Sequence, residues 1–287
     1  MERVAYTPND RRLIMNADDF GLSSAVTTGI LEAAEAGAVT SASVIVNLED
    51  FEETLARARN FGRLPLGLHL NFTMGRPLTG APSLTSKRGD FYGLTTLVKR
   101  ASLGMVDSAD VARECAAQLD RIAKAGIAVT HIDSHRHIHV HPRLFAPVRQ
   151  TAMSRGVHAI RAPLEPMSTN FGDWRATMKK VALSLSSRLS GAIRPGRGPD
   201  HFYGISLQGG RDFASRLFGL IPRLPSGTSE IMTHPGRSDV SLPGQDTYSW
   251  QREEELVVLL SRQFRDLLNR HGIKLTSFAT LGSSTVG

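Results

Sequence analysis

Short apolar runs alternate along the chain with longer stretches in which apolar positions recur every three or four residues. That alternation marks βα units built on a mainly parallel sheet. Residues 13–17 read as a first strand, followed by a helix from Ser24 to Ala36 that Gly37 would stop. Residues 42–46 read as a second strand. The helix behind it opens with Asp50 and Glu53 at capping-box spacing. Residues 66–70 form a third strand, and the apolar positions Ile127, Val129 and Ile132 after Gly126 begin a fourth. Further strands are expected at 159–161, 203–207, 230–233 and 274–278, with helices at 109–124, 143–154, 174–190, 211–220 and 250–270.

Eight strand candidates alternating with helices predict an α/β fold of the (β/α) barrel type, TIM-like, as a single domain over residues 1–287. An open doubly wound sheet is the competitor, but NADDFG stands where a glycine-rich dinucleotide fingerprint would follow the first strand. Residues 71–106, rich in glycine and proline, interrupt the rhythm as a long loop insertion near the active-site end.

Composition narrows the class. Hydrophobic content of 41% and charged content of 21% are those of an ordinary globular protein. The polar N-terminal stretch lacks a signal-peptide core, and no apolar run reaches the roughly 20 residues that span a bilayer. The single cysteine, Cys115, rules out an internal disulfide framework, and a cytoplasmic home follows as the expectation. A net charge of +7 permits an anionic partner. The basic residues are mostly dispersed, however, and aromatic content of 6% offers few stacking platforms, so nucleic acid is not expected.

One basic enrichment runs from Arg175 to Arg197. There Met178, Ala182, Leu185, Leu189 and Ile193 recur at helical spacing beside Lys179, Lys180, Arg188 and Arg194. Part of the stretch from Asp173 to Pro195 is expected near the substrate entrance or on an anionic lipid surface, and the alternative is an outer barrel helix that buries its apolar stripe. A membrane surface and a second copy of the chain, as a homodimer, are the partners left open.

Candidate chemistry gathers at predicted strand ends. Five of the ten histidines, at 131, 135, 137, 139 and 141, lie in eleven residues. In an extended chain these odd positions share one face, yet at most two or three can serve one ion. Asp18 and Asp19 end the first strand, His69 sits in the third, and His234 stands where the strand at 230–233 stops. With His135 and Arg161 these residues all fall at C-terminal strand ends, where parallel α/β folds carry their sites. One Asp and two His make an open site for a divalent ion, which acidifies water and polarises a carbonyl. A second carboxylate can accept a proton and an opposing histidine can donate one.

At NADDFGLS (16–23), VTSAS (39–43), GLHLN (67–71), TMGRPLT (73–79), THIDSHRHIHVHP (130–142), RAP (161–163) and MTHPG (232–236) the chain resembles the YdjC-like carbohydrate deacetylases. That family includes chitooligosaccharide and hopanoid-associated deacetylases. The resemblance implies a distorted barrel, one divalent metal ion, and removal of acetyl from an N-acetylated sugar. Matched to the motifs, Asp19, His69 and His135 look like metal ligands, Asp18 like the base and His234 like the acid. Zinc is the foremost candidate, with magnesium or another divalent ion as alternatives. Arg161, Asn71 and His137 are expected at the substrate, Arg161 either touching it or orienting a carboxylate. A metal-dependent phosphoesterase and a non-catalytic metal- or sugar-binding protein are the rival readings.

Overall fold

The structure, a computed structural model, describes residues 10–169, 172–192, 198–209, 212–239, 242 and 247–282. Among these, seven strands are formed: β1 (Arg11–Phe20), β2 (Ser41–Val44), β3 (Leu66–Leu70), β4 (Val129–Ser134), β5 (His201–Tyr203), β6 (Gly227–Thr233) and β7 (Ile273–Thr276). The helices between them are α1 (Ser24–Glu35), α2 (Phe51–Phe61), α3 (Leu94–Ser102), α4 (Ser108–Lys124), α5 (Pro142–Ser154), α6 (Trp174–Ser190), α7 (Phe213–Leu220), α8 (Trp250–Leu260), α9 (Arg262–Arg270) and α10 (Phe278–Gly282).

All strand pairs are parallel, in the order β4-β3-β2-β1-β6-β5, and β7 also pairs with β1. β1 pairs with β6 from Arg11 to Ala17, with β7 from Arg11 to Ile14, and with β2 from Asn16 onward. One edge of this ten-residue strand thus serves β7 low down and β2 higher up. The sheet curves into a half-barrel with helices around it, and no described residue closes β5 onto β4.

Alternation along β1 sorts its side chains. Leu13, Met15 and Ala17 enter the main core beneath the helices. Ile14 turns the other way and packs on Ala159 and Phe278. Asn16 and Asp18 share that concave side, and Asn16 donates to Asp18 at 2.9 Å and to Ser43 at 3.3 Å. The interior therefore has an apolar floor and a polar middle.

Several expected elements differ. Residues 159–161 form no strand, only a bridge from Ile160 to Ile132. β5 ends at Tyr203 and the chain turns directly, whereas Phe278 opens α10 instead of ending β7. The helix expected over 250–270 breaks at Ser261, whose extended backbone (ψ 146°) ends α8 and whose side chain caps α9 through Phe264 N–H. The capping box at Asp50 is absent: Asp50 (ψ 6°) makes no side-chain cap bond, and Glu53 reaches Ser24 instead. Within 71–106 the chain forms α3, built on Leu97 and Ala101 as its buried positions. Residue 211, at the expected start of α7, lies outside the described residues.

α6 is the largest surprise. Its buried positions are Ala176, Lys180 and Ser187. Trp174, Met178, Val181, Leu185 and Leu189 lie between 49% and 69% exposed, so the apolar stripe faces outward. Lys180 is held inside by Pro166 O and Thr169 Oγ1, both at 3.0 Å, and lies 3.6 Å from Glu165. Ile193, Arg194 and Pro195 lie outside the described residues. No described helix is long and apolar enough to cross a membrane.

Candidate active site

The C-terminal ends of β1, β3, β4 and β6 open into a cavity of 280 Å³ lined by Asp18, Asp19, His69, His135, His137 and His234 among others. At the end of β1 the chain turns with Asp19 in the left-handed region (φ 65°), which Asp tolerates better than most residues. That turn places Asp19 Oδ1 3.1 Å from both His69 Nε2 and His135 Nδ1. Its other oxygen accepts from Arg252 Nη2 of α8 at 2.7 Å. Burial alone would raise the Asp19 pKa, but Arg252 and the two imidazoles hold it well below the ordinary value.

The far nitrogen of His69 is fixed by a carboxylate. His69 Nδ1 lies 2.8 Å from Asp133 Oδ1 and 3.1 Å from Ser43 Oγ, while Ser43 itself donates to Asp133 Oδ2 at 2.8 Å. With Nδ1–H donated to Asp133, Nε2 faces Asp19 with a lone pair. Two lone-pair atoms 3.1 Å apart repel unless a proton or a metal ion lies between them. Burial lowers the imidazole, but the charge and hydrogen bond of Asp133, together with Asp19 and Asp18, outweigh it and raise His69 to about 10. The site thus calls for positive charge where ligand atoms of Asp19, His69 and His135 lie within 4.8 Å of one another. The donor set fits a divalent ion, and the carboxylate behind His69 is the usual second partner of a metal-bound histidine.

A second acidic group, Asp18, His69 and Asp133, has similar spacing. Its oxygens are already committed. Arg161, wholly buried, donates to Asp18 Oδ2 at 2.6 Å and Oδ1 at 2.7 Å, and to Glu230 Oε1 at 2.8 Å; its Nη1 lies 2.7 Å from Asp133 Oδ2. Burial and the Asp133 charge raise the Asp18 pKa despite Arg161. Burial likewise pushes Glu230 up to about 7.

The expectation of five histidines on one face does not hold. His131 and Asp133 obey the strand, but Arg136 (φ 59°) and His137 (φ 55°) are left-handed and end the alternation. His131 stacks on Phe278 at 3.7 Å, and a Cβ on Gly67 would meet its ring at 2.4 Å, so only glycine fits there. His139 bridges Ser134 Oγ and Arg161 O, and His141 caps α5. Only His135 and His137 of the five line the cavity.

His234 follows β6 on the opposite wall. Its backbone N–H donates to Glu255 at 2.6 Å, and Tyr248, edge-on to its ring, donates to the same carboxylate at 2.6 Å. Burial holds the imidazole well below its ordinary pKa. The turn is pinned by α1, where a Cβ on Gly29 would meet Gly236 at 2.5 Å.

Asp18, Asp19, His69, His135 and His234 therefore converge on the cavity, whereas Arg161, which ends no strand, lies outside the lining and orients carboxylates. Asn71 also stays outside the lining: its side chain is spent on Asn47, Thr73 and Met74. Asp133, Glu230, Arg252, Glu255, Tyr248 and Gln208 are given no role by the sequence pattern, and Lys179, expected only as a basic residue of the helix over 174–190, lines the cavity. Asp133 alone carried a signal, as a carboxylate two residues before His135.

The model of the YdjC-like protein family matches residues 12–270. The chain belongs to that family. Among its relatives, a carbohydrate deacetylase of Geobacillus stearothermophilus is 34% identical over 275 residues, covering 93% of this chain and 97% of that protein. A human carbohydrate deacetylase is 33% identical, covering 96% and 93%. A solved Enterococcus faecalis V583 protein, named for cellobiose-phosphate cleavage, superposes with a TM-score of 0.78 at 26% identity, covering 95% and 99%. As a YdjC-like protein, the chain carries the buried His/Asp cluster at the barrel mouth that is compatible with a divalent metal.

Proposed function

We propose that this YdjC-like protein is a metal-dependent N-deacetylase of an acetylated amino sugar. The observation that carries the reading is Asp19 Oδ1 set 3.1 Å from two imidazole nitrogens, in a cavity that Asp18 and His234 also line. Asp19, His69 and His135 would hold the ion, with zinc first among the candidates because a carboxylate with two imidazoles suits it. When bound there, a divalent ion supplies acidified water and polarises the acetamide carbonyl.

The chain's own residues do the rest. Asp18, its pKa raised by burial, accepts the proton of the attacking water, while Arg161 keeps the carboxylate aimed. His234, which rests neutral, takes a proton from solvent and donates it to the departing amine, while the proton of the attacking water goes to Asp18 and returns from there to solvent. Glu255 and Tyr248 hold its backbone and ring in place. His137, which lines the cavity, is the remaining candidate contact to the sugar.

Acetate release from a panel of N-acetylated sugars, with and without chelator, tests the reading. Acetate that depends on added metal is the expected result. Phosphate release from sugar phosphates in its place would mark a phosphoesterase, and tight binding without any product would mark a non-catalytic protein.

A further inference from the structure

Gln208 stands on the turn after β5 and lines the active-site cavity beside His234. Lys179 of α6 donates from Nζ to Gln208 Oε1 at 2.7 Å. An ammonium has donors and no acceptor, so it can meet only the oxygen end of that amide. The NH2 end is thereby turned to His234, with Nε2 of Gln208 3.3 Å from the ring's Nδ1 and 3.2 Å from its Nε2. The NH2 group is a donor too, and its match is a ring nitrogen that keeps a lone pair, as in the neutral imidazole. A protonated ring, with hydrogen on both nitrogens, would meet it donor to donor.

The backbone around the pair is fixed from several sides. Glu165 accepts from the backbone N–H groups of Gly204, Ile205 and Ser206 at 3.2, 2.7 and 3.2 Å. Lys180, next to Lys179, lies 3.6 Å from the same carboxylate, which joins the loop bearing Gln208 to the helix bearing Lys179. Gly204 (φ 131°) lets that loop lie against β6: a Cβ there would meet Met232 O at 2.6 Å, two residues before His234. Gly209 N–H donates to Tyr248 Oη at 3.4 Å, and Tyr248 packs edge-on to the same imidazole.

We propose that Lys179 and Gln208 are positioning residues for proton donation by His234. Lys179 locks the Gln208 amide with its NH2 toward the ring, so the proton that His234 takes from solvent is not shared with the amide and passes to the departing amine. The proposal rests on the deacetylase reading. The imidazolium N–H bond breaks as the amine nitrogen takes the proton, and the C–N bond to the acetyl group breaks with its electron pair going to nitrogen. Neither Lys179 nor Gln208 gains or loses a proton. Burial, with Arg252, Lys179 and His69, holds the imidazole well below its ordinary pKa against the opposing charge of Asp19. Glu255 faces it from α8 through the backbone N–H.

The test uses the full chain loaded with zinc, N,N′-diacetylchitobiose as the amide, and p-nitrophenyl acetate as an ester whose phenolate leaves without a proton. Lys179→Met frees the amide to turn its oxygen to the ring, where it holds the N–H back from the amine. Gln208→Glu puts an acceptor there outright. Both should lower the ratio of chelator-sensitive amide to ester turnover by about tenfold to a hundredfold, part of the range of acid catalysis, through kcat with KM little changed. Lys179→Arg, still a donor without an acceptor, should restore most of the ratio. Ring-nitrogen NMR shifts of His234, assigned by their loss in His234→Ala, read the lock without turnover. Protonation should move to higher pH in Lys179→Met and Gln208→Glu. Unmoved protonation in both variants overturns the proposal, as does loss of amide and ester turnover in equal measure. A parent chain that cleaves the ester and releases no acetate from the amide overturns the deacetylase reading alone, and the ring-nitrogen titration still decides the lock.

Discussion

Arg252 donates from Nη2 to Oδ2 of Asp19 at 2.7 Å, leaving Oδ1 of that carboxylate to face His69 and His135. One oxygen is thus tied to a protein cation and the other kept for the ion. Arg252 also offsets the burial that would otherwise raise the Asp19 pKa. In Arg252→Gln that offset is lost, so protons compete for Asp19 at higher pH. Metal affinity is expected to fall about tenfold to a hundredfold, and the pH at which metal is released should move upward. Metal content after dialysis at a series of pH values checks both; an unchanged release profile would falsify the role given to Arg252.

Alanine at Asp19, His69 or His135 should abolish tight metal binding, because two protein ligands remain in each case. His137→Ala should keep the ion, since the left-handed turn at residues 136 and 137 carries that imidazole away from the cluster. Elemental analysis of the purified variants decides between the two neighbours. Full occupancy in His135→Ala with loss in His137→Ala would move the ligand along the chain.

Asp18→Asn and His234→Ala are expected to retain metal and lose about a hundred- to ten-thousand-fold in kcat, the range of proton-transfer catalysis. Metal content and turnover measured on the same preparations separate this outcome from a ligand-orienting role. If Asp18→Asn lost its metal, Asp18 would belong behind His69, whose Nδ1 lies 3.9 Å from Asp18 Oδ2.

Glu230 gives a pH signature. Its carboxyl is raised from 4.5 to about 7, chiefly by burial, so the folded state binds a proton more tightly than the unfolded one. The stability this supplies is complete below about pH 4.5 and is lost as pH rises through 7. In Glu230→Gln the loss disappears. Relative to the parent chain, the variant should gain about 1–3 kcal/mol of stability between pH 5 and pH 8, read by denaturant unfolding at each pH. A difference that stays constant with pH would exclude a titrating Glu230.

The sequence by itself determined the succession of strands and helices, apart from the strand expected at 159–161, the helix α3 and the break at Ser261, and placed Asp18, Asp19, His69 and His234 at strand ends. Apolar periodicity and turn residues are local, and each such signal is complete within a dozen residues. Its limits appear where contacts between distant segments decide. Arg161 reads in RAP either as a substrate contact or as a residue that orients a carboxylate, and only the fold, which encloses it between Asp18 and Glu230, 143 and 69 residues away, chooses the second. Arg252 looks like an ordinary helical charge until the fold sets it against Asp19, 233 residues earlier. The histidine row reads as one strand face, and only the left-handed backbone at Arg136 and His137 separates its members. α6 has the periodicity of a helix with a buried apolar stripe, yet the cavity wall and the Glu165 carboxylate draw its polar face inward. A stripe's spacing specifies that a face exists; which side meets the protein depends on what the rest of the chain packs against it.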